Sequence, residues 1–125
     1  MLGSTEARAL HAEYPPIDLH ADTLTWVRWM GYDVHVRHEP PLWRAAFAGH
    51  VDLPRLRDGG MGAQFFGLVS LPIGKRMRGL SRAVHEQIDL LVEAAGRSPG
   101  ELRLVRTAAE IEACRRDGVI GALLG

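Results

Sequence analysis

The sequence predicts an α/β fold in which parallel strands alternate with helices. Two nearly continuous apolar runs, residues 63–71 and 119–125, are typical of strands buried on both faces. An amphipathic stretch over residues 81–95 lies between them, and strands that alternate with helices usually join one parallel sheet. Three strands alone make a poor domain, because both edges of the sheet stay open. We therefore expect the first three strands of a (β/α)8 barrel, a fold that typically takes about 250 residues.

The composition is that of an ordinary globular protein. Of the 125 residues, 46% are hydrophobic and 24% are charged, and 15 basic residues balance 15 acidic ones. A formal net charge of zero gives no basic excess for binding nucleic acid, and no apolar run approaches the roughly 18 residues that cross a membrane. We therefore expect neither nucleic acid nor a membrane as partner. The single cysteine, Cys114, excludes a disulfide within the chain and a cysteine-based zinc site, and the lack of a signal-peptide pattern favours a cytoplasmic location.

The first strand is predicted just after a pair of prolines. Residues 1–15 are interpreted as a polar lead-in, and residues 16–125 as the barrel portion. Pro15 and Pro16 favour extended backbone, and the short stretch 17–22 that follows is a strand candidate. Strict alternation places Ile17 and Leu19 on one face of this strand. The polar side chains then share the other face, and they are Asp18, His20 and Asp22.

Helices are predicted between the strands. Residues 23–30 and 53–58 suit helical turns, the second with Gly59 and Gly60 at its end. We expect the helix over residues 81–95 to bury a stripe formed by Val84, Ile88, Leu91, Val92 and Ala95.

A further helix is predicted before the last strand. Thr107 and Glu110 have the spacing of a capping box, and Gly118 is expected to end that helix. The stretch 34–41 is interpreted as a loop whose histidines, His35 and His38, are solvated.

The strongest candidate site is the pair His20 and Asp22. Residues two apart on a strand point to the same side, with their backbones about 6–7 Å apart. An imidazole and a carboxylate placed in this way can converge on one divalent metal, and zinc accepts such nitrogen and oxygen ligands. The carboxyl end of a barrel strand is also where barrel enzymes carry their functional groups. The alternative is a strand-end histidine that is hydrogen-bonded to a nearby carboxylate.

Three blocks of sequence resemble the membrane (renal) dipeptidase family of zinc peptidases. Residues 17–23, Ile-Asp-Leu-His-Ala-Asp-Thr, are similar to the metal-binding first strand of that family. Residues 50–66 resemble the stretch that leads into its second strand, and residues 117–125 resemble its third strand. The blocks occur in the family's order, and the resemblance covers about residues 16–125.

The resemblance implies a barrel metallohydrolase with two zinc ions that hydrolyses dipeptides by metal-activated water. His20 and Asp22 match the first two metal ligands of the family, and Asp18 is a candidate for a carboxylate that orients the His20 ring. The family's bridging glutamate is expected just beyond Gly125. No catalytic residue is therefore identified within the chain, which we expect to be an inactive N-terminal fragment of the enzyme. Family members are often dimers, so a homodimer of the complete enzyme is also implied.

Other interpretations remain open. The chain can be a non-catalytic truncated or split fragment that works only with a partner half, or part of another barrel hydrolase of the amidohydrolase type. His85-Glu86 begins like the H-E-x-x-H helix of metalloproteases, but Asp89 replaces the second histidine. His50 is expected to cap a turn, and Cys114 to be a small buried hydrophobe.

Overall fold

The computed structural model describes residues 4–39, 49–70 and 79–125. Within these ranges five helices and four strands are present. The helices are α1 (Thr5–Glu13), α2 (Thr23–Met30), α3 (Leu53–Asp58), α4 (Leu80–Arg97) and α5 (Ala108–Asp117). The strands are β1 (Ile17–Ala21), β2 (Ala63–Phe66), β3 (Leu102–Leu104) and β4 (Ile120–Leu124). None of the helices in these ranges combines the length and apolarity needed to span a bilayer.

The four strands form one parallel sheet in the order β1-β2-β4-β3. This confirms the predicted parallel α/β arrangement. The strand β3 was not predicted, because three residues are too few for a recognisable pattern of hydrophobicity. It pairs with Ile120–Ala122 of β4, so the third predicted strand is not an edge of the sheet, contrary to expectation. Strand β2 ends at Phe66, earlier than the predicted run over residues 63–71, of which Leu71 lies outside the described residues.

Apolar side chains cover both faces of the sheet. On one face Phe66 and Ile120 pack with residues of α2, α3 and α4, among them the fully buried Leu24, Leu53 and Leu91. The second cluster, on the other side, consists of Ala63, Val105, Cys114, Val119 and Leu123, with Ile111 of α5 packed against it. Cys114 is fully buried, as predicted.

The predicted caps are confirmed at α5. The Thr107 side chain accepts a hydrogen bond from the Glu110 backbone N–H, and the Glu110 carboxylate accepts one from the Thr107 backbone N–H. Gly118 ends the helix in the left-handed conformation, with φ of 69°, which glycine adopts without steric cost. At α3 the capping residue is Asp52, whose side chain accepts from the Arg55 backbone N–H, so His50 is not the cap of this helix.

One helix was not predicted, and the predicted buried stripe of another was partly wrong. Residues 5–13 of the expected lead-in form the helix α1, which was missed because it buries none of its side chains and so has no apolar stripe. In α4 the buried side chains recur every fourth residue, whereas Val92, placed on the buried stripe from the sequence, is 50% exposed. The buried residues of α4 are Ala83, Gln87, Leu91 and Ala95.

Candidate metal centre

His20 and Asp22 lie together at the carboxyl end of β1. The His20 Nε2 and Asp22 Oδ1 atoms are 2.8 Å apart, and the two side chains are 66% and 51% exposed. Asp22 precedes the first residue of α2, yet its side chain makes no capping hydrogen bond to that helix. The two side chains bond to each other and are otherwise open to solvent, so an incoming cation can reach both.

A register shift in β1 decides which way these side chains point. Asp18 pairs with Gln64 of β2, and Ala21 pairs with Phe66, so a step of three residues on β1 matches a step of two on β2. Because neighbouring paired residues share a face, the extra residue reverses the alternation of β1. The prediction that Asp18 shares a face with His20 was wrong for this reason.

Because Gly67 has no side chain, there is room beside it for His20 and Asp22. A Cβ atom on Gly67 would lie 2.8 Å from His20 Cε1 and 2.9 Å from Asp22 Oδ1, which is closer than real Cβ contacts. The Gly67 backbone N–H donates to the Ala21 carbonyl at 2.9 Å and fixes this close approach. Any larger residue at position 67 would displace at least one side chain of the pair.

The Asp18 carboxylate contacts the backbone of His20. Its Oδ1 accepts a hydrogen bond from the His20 backbone N–H at 3.1 Å. In the sequence we interpreted Asp18 as a partner of the imidazole ring, and the structure instead records a contact with the main chain. Asp18 therefore acts on the strand that carries His20.

The donor set fits part of a zinc site. Zinc accepts imidazole nitrogen and carboxylate oxygen at about 2.0–2.2 Å, and a catalytic zinc usually has three protein ligands and a water. Within residues 4–39, 49–70 and 79–125, no group of three or more histidine, cysteine, aspartate or glutamate side chains is gathered for a metal. His20 and Asp22 would supply two donors of such a site, and a complete site would need further donors from other segments or another chain.

Two buried glutamines lie near this end of the sheet and were not identified from the sequence. Gln87 of α4 accepts from the Val69 N–H at 3.2 Å and donates to the Val69 carbonyl at 2.8 Å, which ties the segment after β2 to the helix. Gln64 is fully buried on β2, and its Oε1 has no hydrogen-bond partner among the described residues. A polar residue within an apolar run is the signal that could have found Gln64, whereas Gln87 lies among polar neighbours in the sequence and gives no such signal.

A second histidine–aspartate pair lies in the segment 31–39. His35 Nδ1 is 3.0 Å from Asp33 Oδ1, His35 Nε2 is 3.1 Å from the Ala94 carbonyl oxygen, and Arg97 donates to both oxygens of Asp33. The hydrogen bond from Arg97 holds the pKa of Asp33 well below its usual range. The His35 side chain is only 12% exposed, so the prediction that it is solvated was wrong.

The same segment is joined to α3 by a buried charge. Asp52 is fully buried and accepts hydrogen bonds from Arg55 Nε at 2.7 Å and from the His38 backbone N–H at 2.9 Å. Arg55 also donates to the Tyr32 hydroxyl at 2.9 Å, and the Tyr32 ring stacks on His38 with centroids 3.9 Å apart. Burial raises the pKa of Tyr32. These groups are committed to one another and leave no open position for a metal.

The remaining sequence candidates have structural roles. Glu86, from the motif that begins like H-E-x-x-H, pairs with Arg28 and Arg82, both at 2.7 Å, and the hydrogen bond from Arg28 is the main cause of its lowered pKa. Burial raises the pKa of the Cys114 thiol, which disfavours the reactive thiolate. His50 is exposed.

Comparisons with known proteins agree with this fold. The family model for membrane dipeptidases, peptidase family M19, matches residues 4–125. Among solved structures, dipeptidase AC, described as a metallopeptidase of family M19, is similar with a TM-score of 0.66 and 24% identity, over 88% of this chain and 34% of its own. A metallopeptidase from Rhodobacter sphaeroides, liganded with a phosphinate mimic of the dipeptide L-Ala-D-Ala, has a TM-score of 0.68 and 21% identity, over 88% and 37%. A search of curated proteins found no significant match.

These matches confirm the predicted fold class as a portion of a (β/α)8 barrel. The chain spans only about a third of the length of either solved structure, 34% of the first and 37% of the second.

Proposed function

Because the chain belongs to the membrane dipeptidase family, peptidase family M19, we propose that it carries the first metal ligands of a zinc-dependent dipeptidase. The observation that supports this role is the pair His20 and Asp22, with side chains 2.8 Å apart and more than half exposed at the carboxyl end of a parallel strand. A purely structural ion pair in the core would instead have buried side chains. In this proposal His20 and Asp22 hold a first zinc ion, and a second ion depends on donors from elsewhere.

The chemistry follows from the type of donor. When bound, zinc acts as a Lewis acid and brings the pKa of a water ligand toward neutrality, which suits amide hydrolysis. His20 would offer the lone pair of an imidazole nitrogen, and Asp22 would contribute a negative charge that favours the cation. Asp18 and Gly67 orient the two ligands without touching the substrate. The proposed substrate is a dipeptide, a class supported by the mimic bound to the Rhodobacter sphaeroides relative.

Zinc titration of the full chain, followed by the NMR signals of the histidine rings, tests this proposal. We expect the His20 signals to shift on addition of zinc, while those of His35, whose ring is enclosed, stay in place. In His20→Ala and Asp22→Ala, zinc affinity should fall by about tenfold or more, because a two-donor site does not survive the loss of one donor. Asp89→Ala, a change at an exposed aspartate of α4, is the matched control. Equal zinc affinity in all variants would contradict the metal role.

Dipeptide hydrolysis has a separate expectation. Two donors fall short of the three that a catalytic zinc usually needs, so we expect the chain alone to hydrolyse L-Ala-D-Ala no faster than buffer with zinc. Addition of a polypeptide that supplies the remaining strands of the barrel should restore hydrolysis. Hydrolysis by the chain alone, if lost in His20→Ala, would show that the donors missing from the described ranges are supplied by a second copy.

A second candidate function is that of a non-catalytic fragment that pairs with a partner half. It is favoured by the apolar side chains of the edge strand β1, where Leu19 is 72% exposed and Ile17 is 43% exposed. Edges of this kind promote pairing with another chain. Sedimentation velocity distinguishes the two cases, since a monomer at all concentrations that still binds zinc through His20 would favour the metal role alone.

A further inference from the structure

We propose that Asp18 is a positioning residue, which holds the extra residue of β1 in place and thereby turns His20 and Asp22 toward Gly67. This role rests on the metal function proposed above, because it concerns the same site. The Asp18 Oδ1 atom accepts the His20 backbone N–H at 3.1 Å, across the stretch in which the pairing with β2 changes register. Asp18 would act through the main chain and would not contact the metal or the substrate.

A regular pairing of β1 with β2, without the extra residue, would turn His20 to the other face of the sheet. Asp18 pairs with Gln64, so a regular register would place His20 beside Phe66. Phe66 is 1% exposed and packs with Leu24 and Leu91 beneath the helices. A shift of one residue sends every following side chain to the opposite face. Without the extra residue the imidazole would therefore point into the apolar layer, away from Gly67.

The hydrogen bond of Asp18 is suited to this task. A bulge leaves a backbone group of the bulged strand without its ladder partner, and a short acidic side chain can satisfy an N–H two residues ahead. The acceptor is a carboxylate, which makes the bond stronger than one between neutral groups. The clearance at Gly67 then accepts the two side chains that the bulge has turned, since a Cβ there would lie within 3 Å of both.

Three variants of the full chain separate the possible roles of the carboxylate. Asp18→Ala removes the acceptor, Asp18→Asn keeps an acceptor oxygen without the charge, and Asp89→Ala is a control at an exposed aspartate. Two NMR readouts need neither metal nor activity. The first is hydrogen exchange of the His20 backbone amide, and the second is the nuclear Overhauser effect between His20 Hε1 and the Gly67 Hα protons. Zinc affinity, measured by titration, is the third readout.

We expect Asp18→Ala to speed exchange of the His20 amide by about tenfold, the worth of one hydrogen bond. The same variant should lose the contact between His20 and Gly67 and weaken zinc binding by about tenfold. Asp18→Asn should restore the contact and keep exchange close to that of the unaltered chain, as Asp89→Ala does. If Asp18→Ala does not fold, Asp18→Ser takes its place, since a hydroxyl accepts the same bond more weakly and should give an intermediate exchange rate.

The role is overturned if the amide protection and the contact with Gly67 both survive in Asp18→Ala. It is also overturned if Asp18→Asn behaves like Asp18→Ala, because the charge and not the acceptor would then matter. Failure of the metal function gives a different pattern. In that case zinc would leave the His20 signals unchanged in every variant, while the contact with Gly67 would still depend on Asp18.

Discussion

The chain contains two histidine–aspartate pairs of the same spacing, and their surroundings differ completely. In the pair His35 and Asp33 both ring nitrogens meet acceptors, Arg97 occupies the carboxylate, and the imidazole is 12% exposed. In the pair His20 and Asp22 the imidazole is 66% exposed, and within the described part of the chain its ring bonds only to Asp22. The spacing of two residues therefore carries little information by itself. The two pairs differ in exposure and in bonding partners, since one imidazole is enclosed and bonded at both nitrogens and the other is open to solvent.

Removal of Asp52, which joins the segment 31–39 to α3, should give the largest loss of stability. Asp52→Ala takes away the cap of α3, the charge partner of Arg55 and the acceptor of the His38 N–H. Since it leaves a partly buried guanidinium unpaired, we expect a loss of about 3 kcal/mol in the free energy of unfolding. Urea denaturation measures this loss. Asp58→Ala, at an exposed carboxylate paired with the exposed Arg37, is the matched control and should cost less than about 1 kcal/mol.

A side chain at position 67 should fill the space in which His20 and Asp22 lie. Gly67→Val places carbon atoms where His20 and Asp22 now lie, so zinc affinity should fall by about tenfold, comparable to the loss of a supporting group. Titration with zinc measures the change, and the segment 31–39 should keep its NMR signals. Unchanged affinity in Gly67→Val would mean that the clearance at Gly67 does not matter for the metal.

Acid should lower the stability that the ionised Asp33 carboxylate contributes. The hydrogen bond from Arg97 lowers the pKa of Asp33 in the folded chain relative to the unfolded chain. The resulting stabilisation is complete above the unfolded pKa of about 3.9 and is lost as the pH falls toward the folded value. We therefore expect Asp33→Asn to lose less stability than the unaltered chain between about pH 6 and about pH 2.5. Urea denaturation at several pH values tests this, and parallel curves would contradict it.

The smallest effect should come from a glycine on an open face of α4. Gly96 is in the last turns of α4, and a Cβ there would have no atom within 4 Å. Gly96→Ala should therefore stabilise the chain by about 0.5–1 kcal/mol, because alanine loses less backbone entropy in a helix. Thermal unfolding measures the gain. Zinc affinity should not change, and a fall in affinity would mean that the two regions are coupled through α4.

Local patterns predicted much of the fold. The apolar runs over residues 63–71 and 119–125, which contain β2 and β4, and the capping box at Thr107 depend on neighbouring residues, so they are visible in the sequence. The helix α1 and the strand β3 were missed, since one buries no side chain and the other has three residues.

The site was harder to predict than the fold. The pair His20 and Asp22 was found from its spacing and from the family resemblance, and its role as a metal site stays a prediction. The register shift in β1 depends on how the strand pairs with β2, which alternation along one strand does not encode. The contacts of His35 with Ala94 and of Asp33 with Arg97 join residues about sixty positions apart, so local patterns did not predict them either.

Gln87 couples the segment after β2, next to the candidate centre, to the helix α4. Its amide group engages both the N–H and the carbonyl of Val69, as an adjacent strand would. The backbone just beyond Gly67 is thereby hydrogen-bonded to a helix of 18 residues. A third hydrogen bond, to the Ala83 carbonyl, fixes the Gln87 side chain on the helix itself. The segment after β2 and α4 should accordingly shift as one unit, so that a displacement of that helix would reach Gly67, and through it His20 and Asp22, without a hinge between them.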